Sequence, residues 1–276
     1  MDQPMVETPF SRKSRIGFTR RGLLGIAGLA AVGIVGANVV RQWRKKQASV
    51  FVARGQDYDG RLVQTIRDGL IATGLIPSSM KGKCVLLKPN LVEPSRKAPH
   101  MTTHPAMIVA AAEVFRCWDA IVVVGEGPGH VRDTDMALAE SGVQEALDSA
   151  KLPFADLNYE ELAWTENYGK ACTLSGFYFS RSVKEADLIV SMPKMKTHHW
   201  IGVTAAMKNL YGVIPGIKYG WPKNILHYNG IPETVFDINA SLPRTIAIVD
   251  GIECMEGDGP IMGTKKAMGL VFIGTN

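Results

Sequence analysis

Two lysines and two histidines fall within six residues at 194–199, in the run KMKTHH. A lysine ammonium is a compact charge suited to phosphate or carboxylate. Imidazole is the side chain that exchanges protons near neutral pH. Lys194 and Lys196 alternate, so on an extended chain they point the same way. His198 and His199 are adjacent and diverge on a strand or a helix, so one metal ion is not expected to take both. Polar groups recur in other Gly- or Pro-containing segments: Lys88-Pro89-Asn90, GEGPGH at 125–130, and Asp250-Gly251 followed by Glu256-Gly257-Asp258-Gly259-Pro260. The chemistry expected is action on a small anionic substrate; the alternative is a non-catalytic ligand-binding or electron-transfer accessory module using the same pocket. Lys88, Asn90, Lys194, Lys208 and Asn209 are the candidates for binding the anion. Lys196, His198 and His199 are the candidate catalytic group, with one histidine as general base or metal ligand. Glu126, Asp250 and Asp258 are the candidates to bind a divalent metal or to orient a histidine. The plainer alternatives are solvated loop lysines and hydrogen-bonded structural histidines. GEGPGH lacks the GxGxxG spacing, and Pro128 removes an N–H, so it is not read as a dinucleotide loop. Trp200, Tyr211, Tyr219 and Trp221 surround the 194–224 segment, as pocket walls or as core.

These groups form one site only if their elements converge. The apolar runs at 48–53, 85–87, 120–124, 188–190, 245–249 and 268–273 read as strands. Helical spacing marks 59–76, 104–118, 134–150, 201–211 and 232–240, with Pro105 in a first turn and Asp133 as a cap. Strands alternating with helices, each strand a continuous apolar run, predict an α/β fold. The sheet is expected to be mostly parallel, with helices on both faces and a small mixed insertion around 152–181. The polar segments follow strands, and open α/β sheets bind ligands outside the carboxyl ends of their strands.

The 276 residues have an ordinary globular composition, 46% hydrophobic and 21% charged. The net charge of +5 is unevenly spread. Residues 1–46 carry nine Lys/Arg against Asp2 and Glu7, a net +7, while the rest carries 22 basic against 24 acidic residues, a net −2. The body is therefore not basic, and nucleic acid is not an expected partner. Arg20-Arg21 directly precedes an apolar stretch, 22–40, containing five glycines. That is a twin-arginine export signal followed by a basic linker. The expected partner is the twin-arginine machinery, and the expected location is periplasmic. The stretch is near the ~20 residues a span needs, so the uncut alternative is an outward-facing membrane anchor. Domain boundaries are set at 1–46 and 47–276. The four cysteines, Cys84, Cys117, Cys172 and Cys254, form no iron–sulfur run. Cys84 and Cys117 read as small buried hydrophobes.

KPNLV at 88–92, THP at 103–105, GEGPGH at 125–130, PKMKTHHWIGVTAAMKNLYGVIPG at 193–216 and VDGIECMEGDGP at 249–260 together resemble the DUF362 domain family. The resemblance runs from about residue 83 to 276, and the 193–216 block is its most specific part. It implies a family of unsettled biochemistry. Some members carry ferredoxin-like cysteines and others twin-arginine signals, and this chain is similar to the second kind. It also implies a domain that continues past a GTNP-like stretch, so a C-terminally truncated domain is expected here.

Overall fold

The computed structural model describes residues 48–92, 95–129 and 133–275. The expected export signal and linker, and His130 of GEGPGH, lie outside the described residues. The strands are β1 (Val50–Arg54), β2 (Cys84–Lys88), β3 (Ile121–Glu126), β4 (Phe154–Asp156), β5 (Leu162–Glu166), β6 (Gly176–Ser180), β7 (Leu188–Ser191), β8 (Lys194–His198), β9 (Gly202–Thr204), β10 (Thr245–Glu256) and β11 (Thr264–Thr275). The helices are α1 (Leu62–Ala72), α2 (Pro105–Cys117), α3 (Thr134–Ser141), α4 (Val143–Ala150), α5 (Arg181–Glu185), α6 (Ala206–Asn209), α7 (Gly216–Tyr219), α8 (Asn224–Tyr228) and α9 (Ile231–Ser241).

The main sheet runs β4-β3-β2-β7-β10-β11-β1, with β8 beside β10 and β9 beside β8. Its centre is parallel: β2 pairs with β3 and β7, β3 with β4, and β10 with β7 and β8. β11 and β1 are antiparallel additions at one edge, and β5 and β6 form a separate two-stranded sheet. Alternation along the strands divides the core. Val85 and Leu87 of β2, with Leu188 and Val190 of β7, join one apolar cluster with Ile66, Leu70, Ile108 and Phe115 of α1 and α2. Leu86 and Ile189 join the other, with Val183, Leu226 and Ile238 of α5, α8 and α9. A strand buried on both sides must be apolar at every position, which is why these runs were continuous.

Three expectations need correction, and the last strand adds a feature that the sequence does not specify. The single helix read over 134–150 is two helices, because Gly142 takes a left-handed conformation (φ 76°) that stops α3 and starts α4. The helix read over 201–211 is mostly not a helix. Gly202–Thr204 pairs with β8 as β9, only Ala206–Asn209 is α-helical, and Val203 and Met207 are 48% and 44% exposed rather than inward. The last strand runs antiparallel, as the return arm of a long hairpin with β10. Cys117 is exposed, because it closes α2 on the side away from the core.

Candidate functional site

Lys88 is the last residue of β2 and Glu126 the last of β3, so neighbouring parallel strands deliver a cation and an anion to one edge. Lys88 Nζ donates to Glu126 Oε2 (2.5 Å), to the Pro89 carbonyl (2.7 Å) and to Asn209 Oδ1 (3.1 Å). Those bonds use all three of its donors. Glu126 also accepts from the Leu91 and Gly127 N–H groups. Asn209 returns its amide to the Lys88 carbonyl and Ser191 Oγ. A side chain at Gly212 would collide with both Lys88 Nζ and Glu126, so the residue there has to be glycine. Burial lowers the Lys88 pKa, with Glu126 opposing. Lys88 and Asn209, read as substrate ligands, are thus committed to holding Glu126 in place. Thr103 ties the same edge together, accepting from Asn90 N–H (2.8 Å) and donating to the Met192 carbonyl (2.6 Å).

Above this pair lies a cavity of about 510 Å³. Lys196, Lys208 and Lys223 line it. Lys196 Nζ donates to the Met101 carbonyl (2.6 Å), and Lys223 Nζ to the carbonyls of Gly127 (2.8 Å) and Tyr211 (3.3 Å). Lys208 makes no hydrogen bond among the described residues, and its ammonium stands 4.7 Å over the Tyr211 ring. Among the described residues, none of the three has a carboxylate of its own. Burial, reinforced by Lys208 and Lys194, pushes Lys196 down to about 7. Burial and Lys88 push Lys208 down to about 8. Lys223 falls to about 7 by burial, against partial support from Glu126. Lys223 also holds φ 70°, a left-handed backbone that costs a residue with a Cβ roughly 1–2 kcal/mol.

His198 and His199 both line the cavity, and they do not diverge. β8 ends at His198, the chain turns, and the two rings lie 5.2 Å apart at 27°. Their hydrogen bonds specify opposite tautomers. His198 Nδ1 accepts from the Trp200 N–H (3.2 Å), so when neutral it carries its proton on Nε2. His199 Nδ1 lies 2.9 Å from the Gly259 carbonyl, which can only accept, so Nδ1 carries the proton and Nε2 keeps its lone pair. Burial and Lys208 push His198 down to about 4, and the same two causes lower His227.

The remaining expected residues are elsewhere. Lys194 and Lys196 share β8 but not a site. β10 bulges between its pairings Asp250↔Lys194 and Met255↔Lys196, which parts their surroundings. Lys194, fully buried, pairs with Asp250 (2.6 Å) and donates to Tyr58 OH (2.9 Å). Asp250 accepts further bonds from Tyr58 OH and from the backbone of His104. The three carboxylates read as metal ligands therefore stand apart. Glu126 serves Lys88, Asp250 serves Lys194, and Asp258 sits exposed at the cavity rim. No group of three His, Cys, Asp or Glu among the described residues could hold a metal ion. Asn90 does line the cavity, with its buried Oδ1 lacking a partner among the described residues. Lys223, His227 and Gly212 are site residues without a signal of their own in the sequence. The Gly-, Pro- and Lys-rich composition of 212–224 was the one available hint.

The profile of a domain of unknown function (DUF362) matches residues 85–276. The thylakoid-associated protein sll1697 of Synechocystis sp. is 26% identical over 227 residues, covering 81% of this chain and 69% of that protein. Among solved structures, the lactate racemase apoprotein from Thermoanaerobacterium thermosaccharolyticum aligns with a TM-score of 0.45 at 14% identity. That alignment covers 71% of this chain and 49% of the other, so the chain spans about half the length of that protein.

Proposed function

We propose that this chain, which belongs to the DUF362 family, is an exported protein that binds a small organic anion at the carboxyl edge of its sheet and acts on it by proton transfer. One observation carries the reading. Lys196, Lys208 and Lys223 converge on a cavity whose buried carboxylate, Glu126, is already matched by Lys88. Ammonium groups that share one cavity, Lys196 and Lys223 buried and Lys208 partly so, repel one another, and a bound anion relieves that repulsion. Within the bound complex, His199 Nε2 is the base that removes a proton, and His198 Nε2–H is the neighbouring donor that returns one. His198, pushed down by burial and Lys208, acts as a neutral imidazole. No divalent metal is needed for this assignment. If one takes part, the rim carboxylate Asp258 is the protein group still available to it among the described residues.

Export is supported by the paired arginines Arg20-Arg21 before an apolar stretch, and the name of the Synechocystis relative associates that protein with a membrane system.

The test separates binding from turnover. Small carboxylates and phosphate esters are incubated with the protein in deuterated water, and loss of substrate proton signals is followed by NMR. Exchange is expected with at least one of them. Lys223→Met should abolish binding, while His199→Gln should still bind and no longer exchange. Binding without exchange in the native protein would leave a ligand-binding module and sink the catalytic half. Unchanged affinity in Lys223→Met would sink the anion site.

A further inference from the structure

The cavity is far larger than a lone inorganic anion requires. At about 510 Å³ it falls within the ~300–1,000 Å³ range that encloses whole organic ligands. Its polar and aromatic groups are also segregated. Lys196, Lys223 and the Lys88–Glu126 pair are buried, and a chain of ring contacts leads from Lys208 to the exposed Trp200. Lys208 Nζ stands over Tyr211, and Tyr211 lies 5.6 Å from His227 at 31°. His227 meets Trp200 edge to face at 5.0 Å, and Trp200 meets His199 in the same manner at 4.6 Å. Trp200, at the mouth, is 59% exposed. Leaving so large a ring in water has no packing benefit, but it presents an open π-face to whatever enters. Along this path the unpartnered buried Oδ1 of Asn90 accepts a hydrogen bond from a ligand N–H or O–H.

Resting on the reading of the cavity as an anion site, we infer that its ligand is an aromatic phosphate monoester, with the phosphate on Lys196, Lys208 and Lys223 and the planar body along the Tyr211–His227–Trp200 path. Three lysines lining one cavity suit a tetrahedral dianion. A planar carboxylate would favour an arginine fork, and among the described residues no arginine lines this cavity. Stacking on an exposed indole tolerates any flat ring, so the class is specified here and the individual compound is not.

The test compares three probes on the full chain by titration calorimetry: inorganic phosphate, octyl phosphate and adenosine 5′-monophosphate. The aromatic ester should bind about tenfold or more tighter than the other two. In Trp200→Ala that ratio should fall to near one, and Trp200→Phe should restore most of it. If octyl phosphate gains as much as the aromatic ester, or if the ratio survives in Trp200→Ala, the aromatic assignment is overturned while the anion site stands. If none of the three probes binds, the phosphate assignment is overturned, and the anion reading then stands or falls with the carboxylates of the exchange experiment.

Discussion

Four lysines at one sheet edge play two different parts, and each part predicts its own mutational signature. Lys88 is saturated by Glu126, Asn209 and a carbonyl. Removing it strands a buried carboxylate. Lys88→Met should therefore cost about 3–5 kcal/mol in urea denaturation, and adding Glu126→Gln should recover much of that loss. Lys196, Lys208 and Lys223 have the opposite character, because their charges are held down to about 7, 8 and 7, against an ordinary value of 10.5. Above pH 7 the unfolded chain then binds more protons than the folded one, so stability rises with pH. The Cys172 and Cys254 thiols, pushed up to about 11, carry the opposite sign above their ordinary value of 9. The melting temperature of the ligand-free protein should accordingly climb between pH 7 and 8.5. Anion affinity should fall over the same interval, because only the ammonium forms attract the ligand. Binding near pH 8 should also take up protons, visible as a calorimetric enthalpy that depends on the buffer's ionisation heat.

At the scale of elements, the site depends on how β8 is held against the loop 257–262. Gly259 accepts both the backbone and the ring N–H of His199 through its carbonyl. A Cβ at this position would fall on the Thr197 carbonyl. Gly259→Ala must move the loop off β8, so the tautomer of His199 is no longer specified. Solvent exchange of a bound substrate proton should drop more than tenfold while the circular dichroism spectrum stays native. A native exchange rate in this variant would mean that the Gly259 contact does not orient the base. β10 contributes through its bulge, which sends Lys194 to Asp250 and leaves Lys196 to the cavity. The alternation of the two lysines correctly implied a strand, but a bulge on the partner strand is invisible in that alternation.

At the scale of the whole molecule, the parallel strands gather distant segments at one edge, and the leader is a separate question of transport. A fusion of residues 1–46 to a reporter should reach the periplasm by the twin-arginine route, and changing Arg20 and Arg21 together to lysine should retain it in the cytoplasm. Cell fractionation decides this, and export of the doubly substituted fusion would remove the twin-arginine reading.

What the sequence by itself determined is local or periodic. Continuous apolar runs announced strands buried on both faces, and Gly- and Pro-bearing polar segments after them announced the ligand edge. KPN, THP and KMKTHH all lie at that edge, with Asn90, Lys196, His198, His199 and Lys208 on the cavity wall. Only the tertiary structure decided which charges cancel. Lys88 meets Glu126 because β2 and β3 are neighbours, and Lys194 meets Asp250 because β8 and β10 are neighbours. Strand order and register are set by packing across the whole sheet, and no spacing along the chain encodes them. Lys223 and His227 enter the site through a left-handed residue and a short helix in an irregular loop, where no repeat exists to be read. The cavity's unmatched positive charge is the remainder after those pairings, so it exists only in the folded chain.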